Sequence, residues 1–178
     1  MRKIVLYSAI SLDDFIARKD GSIDWLENEN VIPAGEDFGY GDFSASVDTT
    51  IMGNSTYKQI MGFGGDFPYP DKKNFVITTK KDVAPTKYVE FISGDIQSFC
   101  RELKEKPGRD IWLVGGGEIN TLLLQYELID QLILTRIPIP IGNGIPLFHS
   151  EHWKSDFNSA STKMFGKGVI QIIMDRKS

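Results

Sequence analysis

One cysteine, Cys100, stands among the 178 residues. A lone thiol closes no disulfide within the chain and builds no cysteine cage for zinc, and its scarcity suits a reducing compartment. Nor is there an excess of basic charge. Lys and Arg total 20 against 24 Asp and Glu, a formal net charge of -4, which argues against nucleic acid held by bulk charge. No stretch approaches the roughly 18 apolar residues of a membrane span. Near the start, Met1-Arg2-Lys3 leads into Ile4 to Ile10. A secretory core would be followed by small residues, but Asp13-Asp14 follows instead, so the segment reads as a first strand and the cytoplasm is expected. Repeats and low-complexity runs are missing as well. What is there is ordinary: 41% hydrophobic and 25% charged residues, enough apolar side chain for a packed core. At about 150 residues per domain, residues 1–178 make a single domain.

Strand and helix alternate for most of the length. Lys3 to Ala9, Thr49 to Met52, Asn74 to Thr79, Tyr88 to Ile92, Asp110 to Val114 and Gln131 to Ile137 read as strands. Helices are expected over Asp37 to Ala45, from a Ser55 cap to about Met61, from an Asp95 cap through Lys106, and over Glu118 to Gln125. Ser11 to Ser22, Gly62 to Asp71 and Pro138 to Pro146 read as loops. His152 to Met164 and Val169 to Asp175 read as a hairpin turning near Gly166-Lys167-Gly168. This order predicts an α/β fold: a central mixed, mostly parallel sheet flanked by helices, closed by a C-terminal antiparallel hairpin.

The strongest local signal is Ile111-Trp112-Leu113-Val114-Gly115-Gly116-Gly117-Glu118-Ile119. A buried strand that ends in glycines before a helix bares main-chain N–H groups where the helix dipole favours an anion, and no Cβ keeps the ligand away. It is not the dinucleotide fingerprint, whose third glycine would fall at Asn120. A tight turn with no ligand is the plainer alternative. Thr50-Ile51-Met52-Gly53-Asn54-Ser55-Thr56-Tyr57 repeats the logic, with simple capping by Ser55 and Thr56 as its alternative. Two such turns at the carboxyl ends of parallel strands would line one cleft. Thr78-Thr79-Lys80-Lys81 ends another strand and offers two hydroxyls and two ammonium groups to a phosphate, or is a solvated basic turn.

Among the carboxylates Asp13, Asp14, Asp24, Glu36, Asp37 and Asp42, one held in an apolar cleft would carry a raised pKa and deliver a proton; the residues alone do not say which. His149 and His152 stand three apart without acidic or cysteine company, so they read as surface histidines, and no metal site is expected. Cys100, on an amphipathic helix, reads as a small buried apolar residue.

Taken in order, these pieces resemble the dihydrofolate reductase superfamily, and most closely the reductase half of the bifunctional riboflavin-biosynthesis deaminase-reductase, in a free-standing form. The motifs that carry the likeness are Ser11-Leu12-Asp13-Asp14-Phe15-Ile16-Ala17, Asp48 through Tyr57, Val114-Gly115-Gly116-Gly117-Glu118, Leu134-Thr135-Arg136-Ile137-Pro138, and Gly142-Asn143-Gly144-Ile145-Pro146-Leu147-Phe148. No deaminase zinc signature accompanies them. The resemblance implies a dihydrofolate reductase-like fold that binds NADPH, with NADH as an alternative. The backbone at Ala9 and Ile16 would hold the nicotinamide carboxamide. Gly53, Ser55 and Thr56 would meet the pyrophosphate together with Gly116 and Gly117, and Asn54, Val114, Gly115, Glu118 and Ile119 would also belong to the cofactor site. Thr78, Thr79 and Lys80 would meet the adenosine end. Leu12 to Trp25 would form a lid. Asp37 falls where folate reductases place their substrate-binding acid, and Thr135 matches the threonine that partners it, so these two are the catalytic candidates.

Three positions depart from the pattern. Asn54 replaces an arginine that grips the cofactor phosphates, a neutral amide for a five-donor fork. Asp14 replaces a lid glycine. Glu118 stands where folate reductases carry a basic or polar residue, which favours the riboflavin-type branch. The implied activity is hydride transfer from NADPH to a flat, nitrogen-rich heterocycle or its attached sugar, similar to 5-amino-6-(5-phosphoribosylamino)uracil reductase. Dihydrofolate reductase and a nucleotide-binding module without turnover are the competing readings. A homodimer is expected by analogy with the family and from the frequency of two-fold assemblies.

Overall fold

The computed structural model describes residues 1–32, 35–149 and 155–177. One eight-stranded sheet runs in the order β5-β4-β3-β6-β1-β7-β10-β9. Its strands are β1 (Ile4–Ile10), β3 (Val47–Gly53), β4 (Lys73–Ile77), β5 (Val89–Ile92), β6 (Asp110–Gly115), β7 (Gln131–Arg136), β9 (Phe157–Met164) and β10 (Ile170–Arg176). Pairing is parallel from β5 through to β7 and antiparallel for β7–β10 and β10–β9. The mixed sheet and closing hairpin are as expected. The beginning of the hairpin at His152 lies outside the described residues.

Side-chain alternation on the central strands explains the two-sided core. On β1, Ile4 and Leu6 enter a cluster with Cys100 and Leu103 of α3 (Ile96–Glu105) and Leu123 and Leu124 of α4 (Gly117–Gln125). Val5 and Tyr7 face the other way, toward Phe43 of α1 (Tyr40–Ser46), Val47, Trp112 and Ile133. Beyond them α2 (Asn54–Gly62) sets Tyr57 and Ile60 against Met52, Val76 and Val89. A strand covered on both faces needs an unbroken apolar run, which is why β1 and β6 read so plainly in the sequence. Asp95 does cap α3, its carboxylate accepting the Ser98 amide at 2.9 Å. Cys100 is fully buried, and burial pushes its thiol up to about 12.

Three local expectations change. Ser11 to Ser22 is not loop throughout: β2 (Phe15–Arg18) pairs antiparallel with β8 (Gly144–Pro146), itself inside the expected Pro138 to Pro146 loop. Strands of three and four residues are stabilised by each other and carry little periodicity of their own. A 3-10 turn over Asp24–Glu27 follows, burying Trp25. Ser55 does not cap α2; the cap position is Gly53, and no side chain accepts there. The helix expected over Asp37 to Ala45 begins at Tyr40, after Phe38 and Gly39 with φ of 54° and 78°.

Candidate functional site

The carboxyl ends of β3, β4 and β6 share one edge of the sheet, because these strands are parallel. At that edge α2 and α4 begin directly after Gly53 and Gly116. Neither helix has a side-chain cap. The first N–H groups of a helix have no partner within it, so residues 54 to 56 and 117 to 119 are left with uncapped amides. Both helix mouths line a single cleft of about 730 Å³. The glycines at the cleft are sterically required where the structure is tightest. A Cβ on Gly117 would stand 2.4 Å from the Pro146 carbonyl oxygen, and one on Gly116 would stand 3.1 Å from Thr56 Oγ1. The Gly115–Gly116 peptide is cis.

Of the residues expected to hold a cofactor, Gly53, Asn54, Ser55, Thr56, Thr78, Thr79, Gly116, Gly117, Glu118 and Ile119 line this cleft. Ile16 is beside it, with Cδ1 3.8 Å from the place of a Gly116 Cβ. Four others stand apart. Val114 turns its side chain into the aromatic clusters of the opposite layer. Gly115 lies behind the helix mouth, near Asn120. Ala9 packs with Trp25, Ile137 and Val169. Lys80 is exposed, and its backbone amide donates to Thr78 Oγ1 at 3.2 Å.

Asp37 and Thr135 are joined through intermediaries. Thr135 is 3% exposed, and its hydroxyl accepts from Gln171 Nε2 at 2.9 Å. The same Nε2 donates to the Phe38 carbonyl at 2.8 Å, and the Tyr7 hydroxyl donates to that carbonyl at 3.1 Å. Asp37 is exposed. The amides of Gly41 and Gly39 donate to its carboxylate at 3.0 and 2.8 Å and hold its pKa below the usual carboxylate range. Burial raises the Tyr7 phenol to about 12, reinforced by the nearby Asp37 charge. A smaller hollow of about 290 Å³ touches Tyr7, Phe38 and Gln171. The start of Leu12 to Trp25, the segment expected to form a lid, is tied down. Asp13 accepts from Ser11 Oγ, Ile141 N and Gly142 N at 2.6, 3.1 and 2.7 Å, and Arg136 donates to the Leu12 carbonyl and Asp14 at 2.7 and 2.6 Å.

Sequence reasoning missed Gln171, Tyr7 and the place of His149 on the cleft. Gln171 had a signal, since it is the one polar residue in Val169-Ile170-Gln171-Ile172-Ile173. Tyr7 had none, because an aromatic in a buried strand is ordinary core. His149 was legible only as half of a pair whose other member, His152, lies outside the described residues. Among the described residues no group of His, Cys, Asp and Glu is arranged to hold a metal, and no helix is long and apolar enough to cross a membrane.

A family model described as the RibD C-terminal domain matches residues 69–171. YwjB, an uncharacterised protein of Bacillus subtilis (strain 168), is 42% identical over 169 residues, covering 94% of this chain and 95% of its own length. A protein from Shewanella sp. PV-4, assigned provisionally to riboflavin biosynthesis, superposes with a TM-score of 0.87 at 29% identity and 99% coverage of both chains. Two further solved structures share the fold. Dihydrofolate reductase from Enterococcus faecalis, complexed with NADP(H), has a TM-score of 0.69 at 15% identity, covering 99% of this chain and 97% of that one. A diaminohydroxyphosphoribosylaminopyrimidine deaminase/5-amino-6-(5-phosphoribosylamino)uracil reductase from Thermotoga maritima has a TM-score of 0.73 at 16% identity, with 99% of this chain covering 57% of that one. The fold is therefore dihydrofolate reductase-like.

Proposed function

We propose, from the premise that this chain belongs to the RibD C-terminal domain family, that it is an NADPH-dependent reductase of a small, nitrogen-rich heterocycle or the sugar attached to it. One observation carries the reading: two uncapped helix N-termini open on the same cleft of about 730 Å³, with glycine where the walls approach most closely. Uncapped amides at a helix mouth suit phosphate oxygens, so this donor set fits a dinucleotide pyrophosphate.

When bound, the cofactor supplies a hydride from C4 of its nicotinamide. The chain's own residues do the rest. Amides at 54 to 56 and 117 to 119 hold the pyrophosphate, with the Ser55 and Thr56 hydroxyls beside them. Thr78, Thr79 and Lys80 take the adenosine end. The backbone at Ala9 and Ile16 holds the carboxamide. Gln171 and Thr135 orient the substrate beside Tyr7, and the anchored lid keeps water from the transfer. Asp37 is held ionised by two amides, so it serves as a fixed negative charge, and the proton that follows the hydride comes from one water molecule bound with the substrate while bulk water is kept out.

A carboxylate that is exposed and already engaged is poorly placed to grip a pterin, which favours the riboflavin-type substrate over dihydrofolate. A thermal-shift screen with NADPH, NADH, FMN and folate tests the cofactor, and NADPH oxidation over pyrimidine, pterin and flavin panels tests the reaction. Stabilisation by NADPH with turnover of a pyrimidine is expected. Nanomolar inhibition by methotrexate would favour folate instead, and binding without oxidation of any compound would leave a nucleotide-binding module. A cytoplasmic homodimer is the working assembly; light scattering on the purified chain checks the two-fold state.

A further inference from the structure

We infer that His149 brings positive charge to the helix mouths of the cleft and grips the pyrophosphate of the bound nucleotide, so that nucleotide affinity rises with acidity; this rests on the nucleotide reading above.

The residues described as lining the cleft include no lysine and no arginine. Asn54 stands on α2 at the mouth, so that helix brings only a neutral amide there. Two helix dipoles attract a doubly charged pyrophosphate, and among the described residues that line the cleft a formal positive charge has one source, the imidazole of His149. Its position is built. The His149 amide donates to Thr121 Oγ1 at 2.8 Å, and that hydroxyl donates to the Gly117 carbonyl at 2.7 Å. This pair of bonds ties the segment after β8 to the first turn of α4. The imidazole then lies against the glycine that opens the helix: Nε2 is 3.1 Å and Cδ2 3.3 Å from the place of a Gly117 Cβ. A side chain there would push the ring away, so the absence of Cβ at Gly117 admits the carbonyl of Pro146 and the ring of His149 together.

The surrounding charges are simple. From α4 the titratable neighbour lining the cleft is Glu118, while α2 offers Asn54, Ser55, Thr56 and Gln59, and the ends of β4 and β5 offer Thr78, Thr79 and Gly94. Imidazole is the side chain whose charge changes between pH 5 and 8. A charge-assisted bond from imidazolium to a phosphate oxygen is short and strong, and neutralising the ring weakens it.

The experiment is a fluorescence titration of NADPH and of NADH into the full chain at pH 5.5, 7 and 8.5, for wild type, His149→Gln and His149→Lys. Wild type should bind both nucleotides about tenfold more weakly at pH 8.5 than at 5.5, the worth of one charged hydrogen bond. His149→Gln should bind weakly and equally at all three values. His149→Lys should bind tightly at all three, a rescue that a purely structural role for the ring would not produce. Wild-type affinity that ignores pH, or a pH slope that survives in His149→Gln, overturns the inference while leaving the nucleotide reading in place. A slope seen with NADPH and not with NADH assigns the effect to the 2′-phosphate, which itself titrates near pH 6, and also overturns it. Failure of folded wild type to bind either nucleotide at any pH removes the nucleotide reading and this inference together.

Discussion

Gly117→Ala should damage stability and nucleotide binding in one step. Cβ atoms essentially never come within 3.0 Å of another heavy atom, and here the new methyl would start 2.4 Å from the Pro146 carbonyl oxygen. Either the helix mouth or the main chain of β8 must therefore give way by at least 0.6 Å, the difference between 3.0 and 2.4. Pro146 pairs with Phe15 across the β2–β8 ribbon, so the displacement reaches into Leu12 to Trp25, the segment proposed as the lid. Overpacking of this kind costs about 1–3 kcal/mol. In a domain of this size each kcal/mol lowers Tm by about 2–4 °C, which gives a fall of about 2–12 °C. Gly53→Ala is the internal control: the nearest atom to its new methyl is Ile119 Cγ2 at 3.7 Å, an ordinary contact. It should melt within about 0.5 kcal/mol of wild type. Scanning calorimetry on the three proteins, with NADPH titrations alongside, reads both effects. Equal melting of Gly117→Ala and wild type, with unchanged NADPH affinity, would show that the Pro146 carbonyl does not constrain the helix mouth and would refute the steric account of this glycine.

Gln171→Leu removes the donor that bridges Thr135 Oγ1 and the Phe38 carbonyl and strands a buried hydroxyl. It should cost about 1–3 kcal/mol in urea unfolding and raise KM for the heterocycle without changing the Kd of NADPH; parallel losses in both constants would place Gln171 outside the substrate side. Asp130→Ala should cost about 3–5 kcal/mol, because Asp130 pairs with Lys104 at 2.6 Å where both side chains are largely buried, and also accepts the Ile4 amide at 2.8 Å; a loss under 1 kcal/mol would mean that Lys104 finds water. At Asp13 desolvation pushes the pKa up, and bonds from Ser11, Ile141 and Gly142 more than reverse it, so the folded-state value lies below the ordinary 3.8. A depressed carboxyl stabilises the fold above its unfolded-state value and loses that contribution as pH falls through the folded one. The Tm gap between wild type and Asp13→Asn should therefore close as melts descend from pH 5 to pH 2.5, and a gap that stays constant over that range would contradict the latch.

The two sides of the site were unequally legible, and the difference is physical. Recognition of phosphate by main chain leaves its trace in the residues that must be absent. Gly116 and Gly117 mark a helix mouth where a Cβ would crowd the wall, and that signal is local, so the cleft between the two helix mouths could be read from a few consecutive residues. Where the reading went astray there, a side chain was given work that the backbone does. Ser55 does not cap, and leaving α2 uncapped is what keeps its amides available. At Ala9 and Val114 pleat alternation sends the side chains into packed clusters, so what these residues offer a ligand is main chain, as the expected backbone contact at Ala9 requires. The side proposed for the substrate is different. Gln171 on β10, Thr135 on β7 and Phe38 ahead of α1 meet through bonds spanning 36 and 133 positions, and no window of sequence contains them together. Asp37 illustrates the limit: the resemblance points to this carboxylate, but whether it is buried and protonated or exposed and ionised depends on Gly39 and Gly41 turning their amides onto it. A carboxylate's chemistry is set by its donors, and donors brought round by a left-handed turn are a property of the folded backbone.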